Sequence, residues 1–536
     1  MESFQIQLQP LLQAARSTPP VVVLPATVVS ILLTYWLTTV VISSWRLRHF
    51  KGPWLAKFSN AWLAWASYSG RATDYYWAAR QKYRTPLMRV GPDTLITDDP
   101  NIVRQINGLK AGYGRAKWYE AFHLDPYFHN MFSTRDLAYH DDIKSKTAAA
   151  YSGREVPGLE AHINGQLGEL KKLIRTKYIS TDKETKPFDF AHTSNYFALD
   201  ALSTFGFGKA FGFLEQDTDI GEFLKKGRET FPFIGVVSMV PALSSIFFSS
   251  IYLSLFGPKV TDTKGLGKIF ALSRSVVDPR FDAGGKKEDD FQQKDMLLTI
   301  LTSLQGSFMQ HGLNKQQCQA EVLLMILAGS DSTSGVIRST MLALSTTPQV
   351  YKKLQDEIDT GIRKGKISSP ITVAEAKALP YLQAVIYESI RYHPPVIGLN
   401  TKVVPSQGDT LAGMYVPGGT NIAVNPWALM RHEPTFGKDV DVFRPERFMN
   451  ASPEERASMQ RVVDLMFGAG RFMCAGKTVA WMELNKIFVE LLRDFDFQII
   501  NIRKPCEEVL YIQFLMKNFL LRVTERPKIV PDALLN

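Results

Sequence analysis

Residues 467–476 read FGAGRFMCAG and place Phe467, Gly468, Gly470, Arg471, Cys474 and Gly476 within ten positions. Three glycines this close to one cysteine predict a tight backbone turn around a sulfur. Glycine has no Cβ, so the chain can take positive φ and come close to a bulky planar ligand. The following stretch, KTVAWMELNKIF over residues 477–488, reads as an apolar helix. A thiolate just ahead of a helix start gains from the amide donors there. That placement suits a soft anionic ligand for iron. Of the other two cysteines, Cys318 lies in a predicted helix and is expected to be a packing residue. Cys506 is expected in a loop or at the surface. Three cysteines cannot frame a disulfide-stapled fold.

Upstream, Glu388-Ser389-Ile390-Arg391 puts an acid and a guanidinium three apart, on one face of a predicted helix. Tyr392-His393-Pro394-Pro395 follows, and Pro445-Glu446-Arg447-Phe448 comes later. Pro380 opens this helix and Pro394 stops it. Thr372-x-x-Glu375 reads as a capping box. The longest helix candidate covers residues 316–345, and its stretch 322–328 is apolar on all sides, as in a helix running through the centre of a large protein. Ala328-Gly329-Ser330-Asp331-Ser332-Thr333 interrupts it. An interior glycine costs about 1 kcal/mol relative to alanine, and a carboxyl with hydroxyls is costly in an apolar helix. A groove beside a ligand, together with a proton relay, would compensate. Short β signals lie at 87–90 and 94–96 around Gly91-Pro92-Asp93, and at 409–417 and 421–424. The expected fold is mainly α with small β-sheets.

The 536 residues are 45% apolar and 21% charged, which excludes wholesale disorder, collagen and coiled coil. The net charge of +10 is spread along the chain, so an anionic membrane face is a better expected partner than nucleic acid. Residues 21–45 carry no charge and would span about 37 Å as a helix, against a hydrocarbon core of about 30 Å. Arg46, Arg48 and Lys51 follow at once, which predicts a cytosolic body. The expected organisation is a short lumenal segment over 1–20, a single-pass anchor over 21–45 in contact with membrane lipid, and a catalytic domain over 46–536. Polar runs at 180–187 and 282–290 read as surface loops.

The cysteine loop and its supporting motifs resemble the haem-binding signature and order of motifs of the cytochrome P-450 superfamily, over essentially residues 52–530. Within it the chain is similar to fungal microsomal members of the pisatin demethylase-like group, on Pro53-Trp54-Leu55, the hairpin at 91–93 and the displaced Arg471. The resemblance implies a cytochrome P-450 fold preceded by a transmembrane helix, and haem b (iron protoporphyrin IX) with Cys474 as axial iron ligand. It implies that Phe467 stacks beside the sulfur and that Gly468, Gly470 and Gly476 are the family glycines. Arg471 stands one residue before the family's propionate-binding arginine, and Phe472 takes that place. His140, Lys144 and Lys402 match positions that approach a propionate. Glu388, Arg391 and Arg447 match a structural triad. Asp331 with Ser332, where the family usually has threonine, matches the acid–alcohol pair that delivers protons, with Thr333 as a neighbouring hydroxyl. The implied activity is a monooxygenase in the endoplasmic reticulum membrane, using O2 and electrons from NADPH through a flavoprotein reductase. Its implied substrate is an apolar small molecule, a fungal secondary-metabolite intermediate. Pocket walls are expected from 111–135, 205–255, 325–336, 396–400 and 510–514. A haem-thiolate isomerase or dehydratase needing no reductase, or a non-enzymatic haem sensor, are the rival readings. Retention of Asp331-Ser332 and of the motif set argues against them.

Overall fold

The computed structural model describes residues 20–156, 158–257, 259, 261–262, 266–282 and 312–532. The expected lumenal segment lies outside them apart from Pro20, as does the polar run after Asp282. After the amino-terminal helix α1 (Pro20–Arg46), five helices position the site: α2 (Leu137–Tyr151), α3 (Phe190–Phe207), α4 (Lys315–Thr346), α5 (Pro380–Tyr392) and α6 (Lys477–Asp494). The main sheet contains β1 (Met88–Arg89), β2 (Thr94–Thr97), β3 (Gly114–Arg115), β4 (Lys402–Val403) and β5 (Asn421–Val424).

Helix α4 is the central strut. Asn314 caps it, its side chain accepting from the Gln317 amide while the Gln317 side chain reaches back, so two otherwise free donors are satisfied. The helix packs most extensively on α3 and also touches α5 and α6. Residues Val322 to Ile326 are buried as their composition demands, but Ala328 is exposed in mid-helix. Cys318 is buried in the core, and Cys506 is half-buried in a loop.

The sheet runs in the order β1-β2-β5-β4-β3. Strands β2 and β5 pair parallel, Thr94 opposite Asn421, and the other pairings are antiparallel. In the β3–β4 pair Arg115 stands directly opposite Lys402. Smaller sheets form from Phe188–Asp189, Leu520–Glu525 and Phe495–Ile499, and from two hairpins.

Among the described residues, two helical segments, Leu24–Arg46 and α4, are long and apolar enough to cross a membrane; the pair Ile220–Met239 and Pro241–Phe247, bent by 117°, would be a third only as one broken span. Helix α4 uses its apolar surface inside the protein, whereas Leu24, Val29, Ile31 and Val41 of α1 are exposed. The carboxyl end of α1 is fastened to the body. Leu47 and Phe50 are buried. Arg46 donates to the Gly418 carbonyl at 2.5 Å, and Arg89 reaches the Ser43 carbonyl at 3.2 Å. A Cβ at Gly52 would collide with the Arg89 carbonyl, so the break after α1 needs glycine. One expectation about the walls changes: Ile246, Ile251 and Leu255, inside the stretch 205–255, point outward.

Candidate active site

The cysteine loop is two short 3-10 turns, Asp464–Phe467 and Gly470–Phe472, leading into α6. The Cys474 amide donates to the Phe467 carbonyl at 2.6 Å and closes the loop. Gly468 has φ 73° and Gly470 φ 59°. A Cβ on Gly468 would stand 2.8 Å from the Phe472 carbonyl oxygen, and one on Gly470 would collide with that of Asn107. Both positions therefore require glycine. Gly476 caps α6 at an ordinary φ of −86°, with open space where a Cβ would stand. Its lack of a side chain serves nothing in the protein's own packing. Cys474 is exposed at the surface of the loop. Desolvation in this recess raises its thiol pKa, while the Gly476 and Lys477 amides and the Lys144 and Lys477 ammonium groups pull it down. The thiols of Cys318 and Cys506 are instead pushed up to about 12 by burial, with no amide or lysine to oppose it.

Two basic side chains and a buried imidazole, its pKa lowered to about 4 by burial, surround Phe472. The Lys402 ammonium lies 3.3 Å from the ring centroid, the Arg115 guanidinium carbon 4.5 Å and the His140 ring 4.8 Å. Arg115, His140 and Lys402 are all buried. Arg115 donates to the carbonyls of Met131 and Thr134 at 2.6 and 3.1 Å. Among the described residues, the Lys402 ammonium has no hydrogen-bond partner. Burial and the charges of Arg115, Arg471 and Lys144 hold it well below the usual lysine range. Lys144 donates to the carbonyls of Arg471 and Met473 at 2.6 and 2.8 Å, so it fastens the cysteine loop. Arg471 faces Asp141 at 3.4 Å. Opposed like charges destabilise a strand pair, and an unpartnered buried cation is costly. An anionic group seated here would relieve both. With a cysteine sulfur nearby, the donor set fits a planar iron macrocycle carrying carboxylates.

On α4, Ala328 and Ser332 share a face, four residues apart, that is open in mid-helix. The Ser332 hydroxyl donates to the Ala328 carbonyl at 2.8 Å. The glycine beside them is not a groove: a Cβ on Gly329 would stand 2.5 Å from Leu202 Cδ1 of α3. That correction has a plain cause, since α3 and α4 cross closely and glycine admits the contact. Asp331 turns toward α3 and accepts from Asn195 Nδ2 at 2.8 Å. Thr333 is buried.

Glu388 and Arg391 are fully buried and form a two-point pair, Nε–Oε2 2.7 Å and Nη2–Oε1 2.7 Å. Arg447 Nε lies 3.4 Å from the same carboxylate. Arg447 also donates to Asp439 at 2.7 Å, which makes Asp439 a fourth member.

The chain belongs to the cytochrome P450 family. The family model Cytochrome P450 matches residues 65–522. Cytochrome P450 monooxygenase aba1 of Botryotinia fuckeliana is 43% identical over 484 residues, covering 89% of this chain and 92% of that one. Cytochrome P450 monooxygenase ABA1 of Pyricularia oryzae is 40% identical over 506 residues, 93% and 96% of the two chains. Cytochrome P450 monooxygenase abl1 of Leptosphaeria maculans is 39% identical over 495 residues, 90% and 84%. The chain is thus a monooxygenase of the haem-thiolate class. Sequence reasoning missed Arg115, Asn195, Glu321, Arg338 and Asp439. Arg115, Asn195, Glu321 and Arg338 have partners far away in the chain, and Asp439 meets Arg444 and Arg447 from an irregular segment, so no periodic pattern marks any of them.

Proposed function

We propose that this protein is an anchored haem b monooxygenase that oxidises an apolar small molecule of fungal secondary metabolism. Residues 21–45 would hold it in the endoplasmic reticulum membrane, with residues 46–536 as a cytosolic catalytic domain. One oxygen atom of O2 enters the substrate and the other leaves as water, with two electrons from NADPH through a membrane-bound reductase. The bound haem supplies the oxygen activation, and a thiolate ligand favours O–O cleavage.

The chain's own residues hold and serve it. The Cys474 sulfur would be the iron ligand; burial raises its thiol pKa, and the amides of Gly476 and Lys477 oppose that rise and favour the thiolate the iron would take. Phe467 packs beside the loop, its ring 5.3 Å from the Lys477 ammonium. Arg115, His140 and Lys402 form the cradle for propionates, while Lys144 and Arg471 act from the loop side. Glu388, Arg391 and Arg447 brace the proximal core. Ser332 Oγ holds a proton on the open face of α4, and Asp331 resupplies it from the interior side. Thr333, being buried, is a support for this turn.

The observation that carries the reading is the glycine-framed Cys474 at the start of α6, beside buried Arg115 and Lys402, which have no ion-pair partner among the described residues. Metabolite profiling of strains with and without the protein, grown under 18O2, tests it. A compound that disappears with the protein should carry one labelled oxygen more than the precursor that accumulates. A precursor and product that are isomers, with no label gained, would sink it in favour of an isomerase.

A further inference from the structure

We propose that Asn195 is the positioning residue for Asp331, fixing its carboxylate and linking it through one side-chain amide to the buried Arg338. The inference rests on the reading of Asp331 as a proton carrier.

Asn195 is fully buried on α3, a helix whose other core positions are chiefly apolar. An unpaired amide there would be costly. Its two ends are both used, with opposite polarity. Nδ2 donates to Asp331 Oδ1 at 2.8 Å, and Oδ1 accepts from Arg338 Nη1. Only this orientation of the amide satisfies both neighbours, because a carboxylate cannot donate and a guanidinium cannot accept. The amide therefore presents its positive end to Asp331 and its negative end to Arg338.

Among the described residues, Arg338 makes no hydrogen bond to a carboxylate. It donates to Ser334 Oγ at 3.2 Å and to the Phe514 carbonyl at 3.1 Å. Burial lowers it to about 10, with Asp331 and Glu508 favouring its charge and Arg228 opposing it. Arg228, from the helix Phe223–Met239, contacts His192 at 3.1 Å. Glu508, from the strand Glu507–Leu510, lies 3.4 Å from His393. Asn195 is the link through which Asp331 gains the one buried cation on its own helix.

Neighbouring hydroxyls do not hold the carboxylate. Ser332 donates to the Ala328 carbonyl, and Ser334 donates to the Asp331 backbone carbonyl at 3.3 Å. Asn195 donates the hydrogen bond that orients the acid, and it reaches from another helix.

The test uses the full-length holoenzyme, with the Asp331 carboxyl band located by infrared difference spectroscopy against Asp331→Asn. Asn195→Asp puts a like charge beside Asp331 and takes Arg338 for itself. The Asp331 band should then titrate at least about one pH unit higher than in the parent. Asn195→Ser removes the contact without adding charge, and should give a smaller shift in the same direction. In parallel, with reductase, NADPH and no substrate, the share of electrons released as H2O2 and not as water should rise from parent to Asn195→Ser to Asp331→Asn. An unmoved Asp331 band in a haem-loaded Asn195 variant would overturn the proposal. So would loss of haem in both Asn195 variants while Asp331→Asn keeps it, since Asn195 would then be a fold residue. If Asp331→Asn leaves the peroxide share unchanged, the proton-carrier reading fails instead, whatever the Asn195 variants do.

Discussion

Lys402 and Arg115 show how a single buried charge reports on what the site holds. They oppose each other across β3 and β4, and the lysine ammonium lies over the Phe472 ring with further like charges around it. Lys402→Met should therefore stabilise the apoprotein and weaken its hold on haem. Thermal melts of apoprotein and haem content after expression check the two arms; a less stable apoprotein with normal haem content would contradict the cradle. Glu321 makes the complementary case for an acid. It is buried on α4, accepting from the Met131 amide at 2.5 Å and from Tyr151 at 2.9 Å. Burial raises it from 4.5 to about 7. An acid raised on folding contributes stability that is present below its unfolded value and lost as pH rises through the folded one. The loss, about 3 kcal/mol, should fall between pH 4.5 and 7. Glu321→Gln should flatten denaturation midpoints across that window; an unchanged slope would show that Glu321 does not titrate there. Cys474 was legible because a turn requiring glycines leaves those glycines in the sequence. Arg115 and Asn195 were not, because a lone arginine on a two-residue strand and a lone asparagine on a helix have no periodicity to betray them.

At the scale of elements, helix periods and stops carried most of the reading. Helix α4 runs one residue further at each end than its pattern predicted, and α5 starts at Pro380 and stops before Pro394 as expected. The Thr372–Glu375 capping box is present. What the pattern could not give was the meaning of Gly329, since a helix crossing and a ligand groove both call for a small residue. The cysteine loop allows a sharper distinction between its own glycines. Gly470→Ala forces alanine into the left-handed region and into the Asn107 carbonyl, and should cost about 1–3 kcal/mol or more. Gly476→Ala meets nothing in the protein, so it should leave the apoprotein's stability unchanged and lower haem retention. Equal behaviour of the two variants in apoprotein melts would contradict this division of labour.

For the whole molecule, the apolar helix α1 and the body are joined by hydrogen bonds and buried side chains. The sequence indicated an apolar run and a break; the carbonyl contacts of Arg46 and Arg89 that fasten α1 to the sheet could not be read from it. The full chain should pellet with microsomes and resist carbonate extraction, with the body open to protease added outside sealed vesicles. A soluble product beginning near residue 46 would remove the anchor, and a protected body would reverse the topology. The central claim is thiolate ligation of haem iron by Cys474, and one spectrum addresses it. Reduced protein under carbon monoxide should show the red-shifted Soret band of thiolate-ligated haem, and Cys474→Ser should abolish it. The same band in both proteins, or no such band in the parent, would contradict the account.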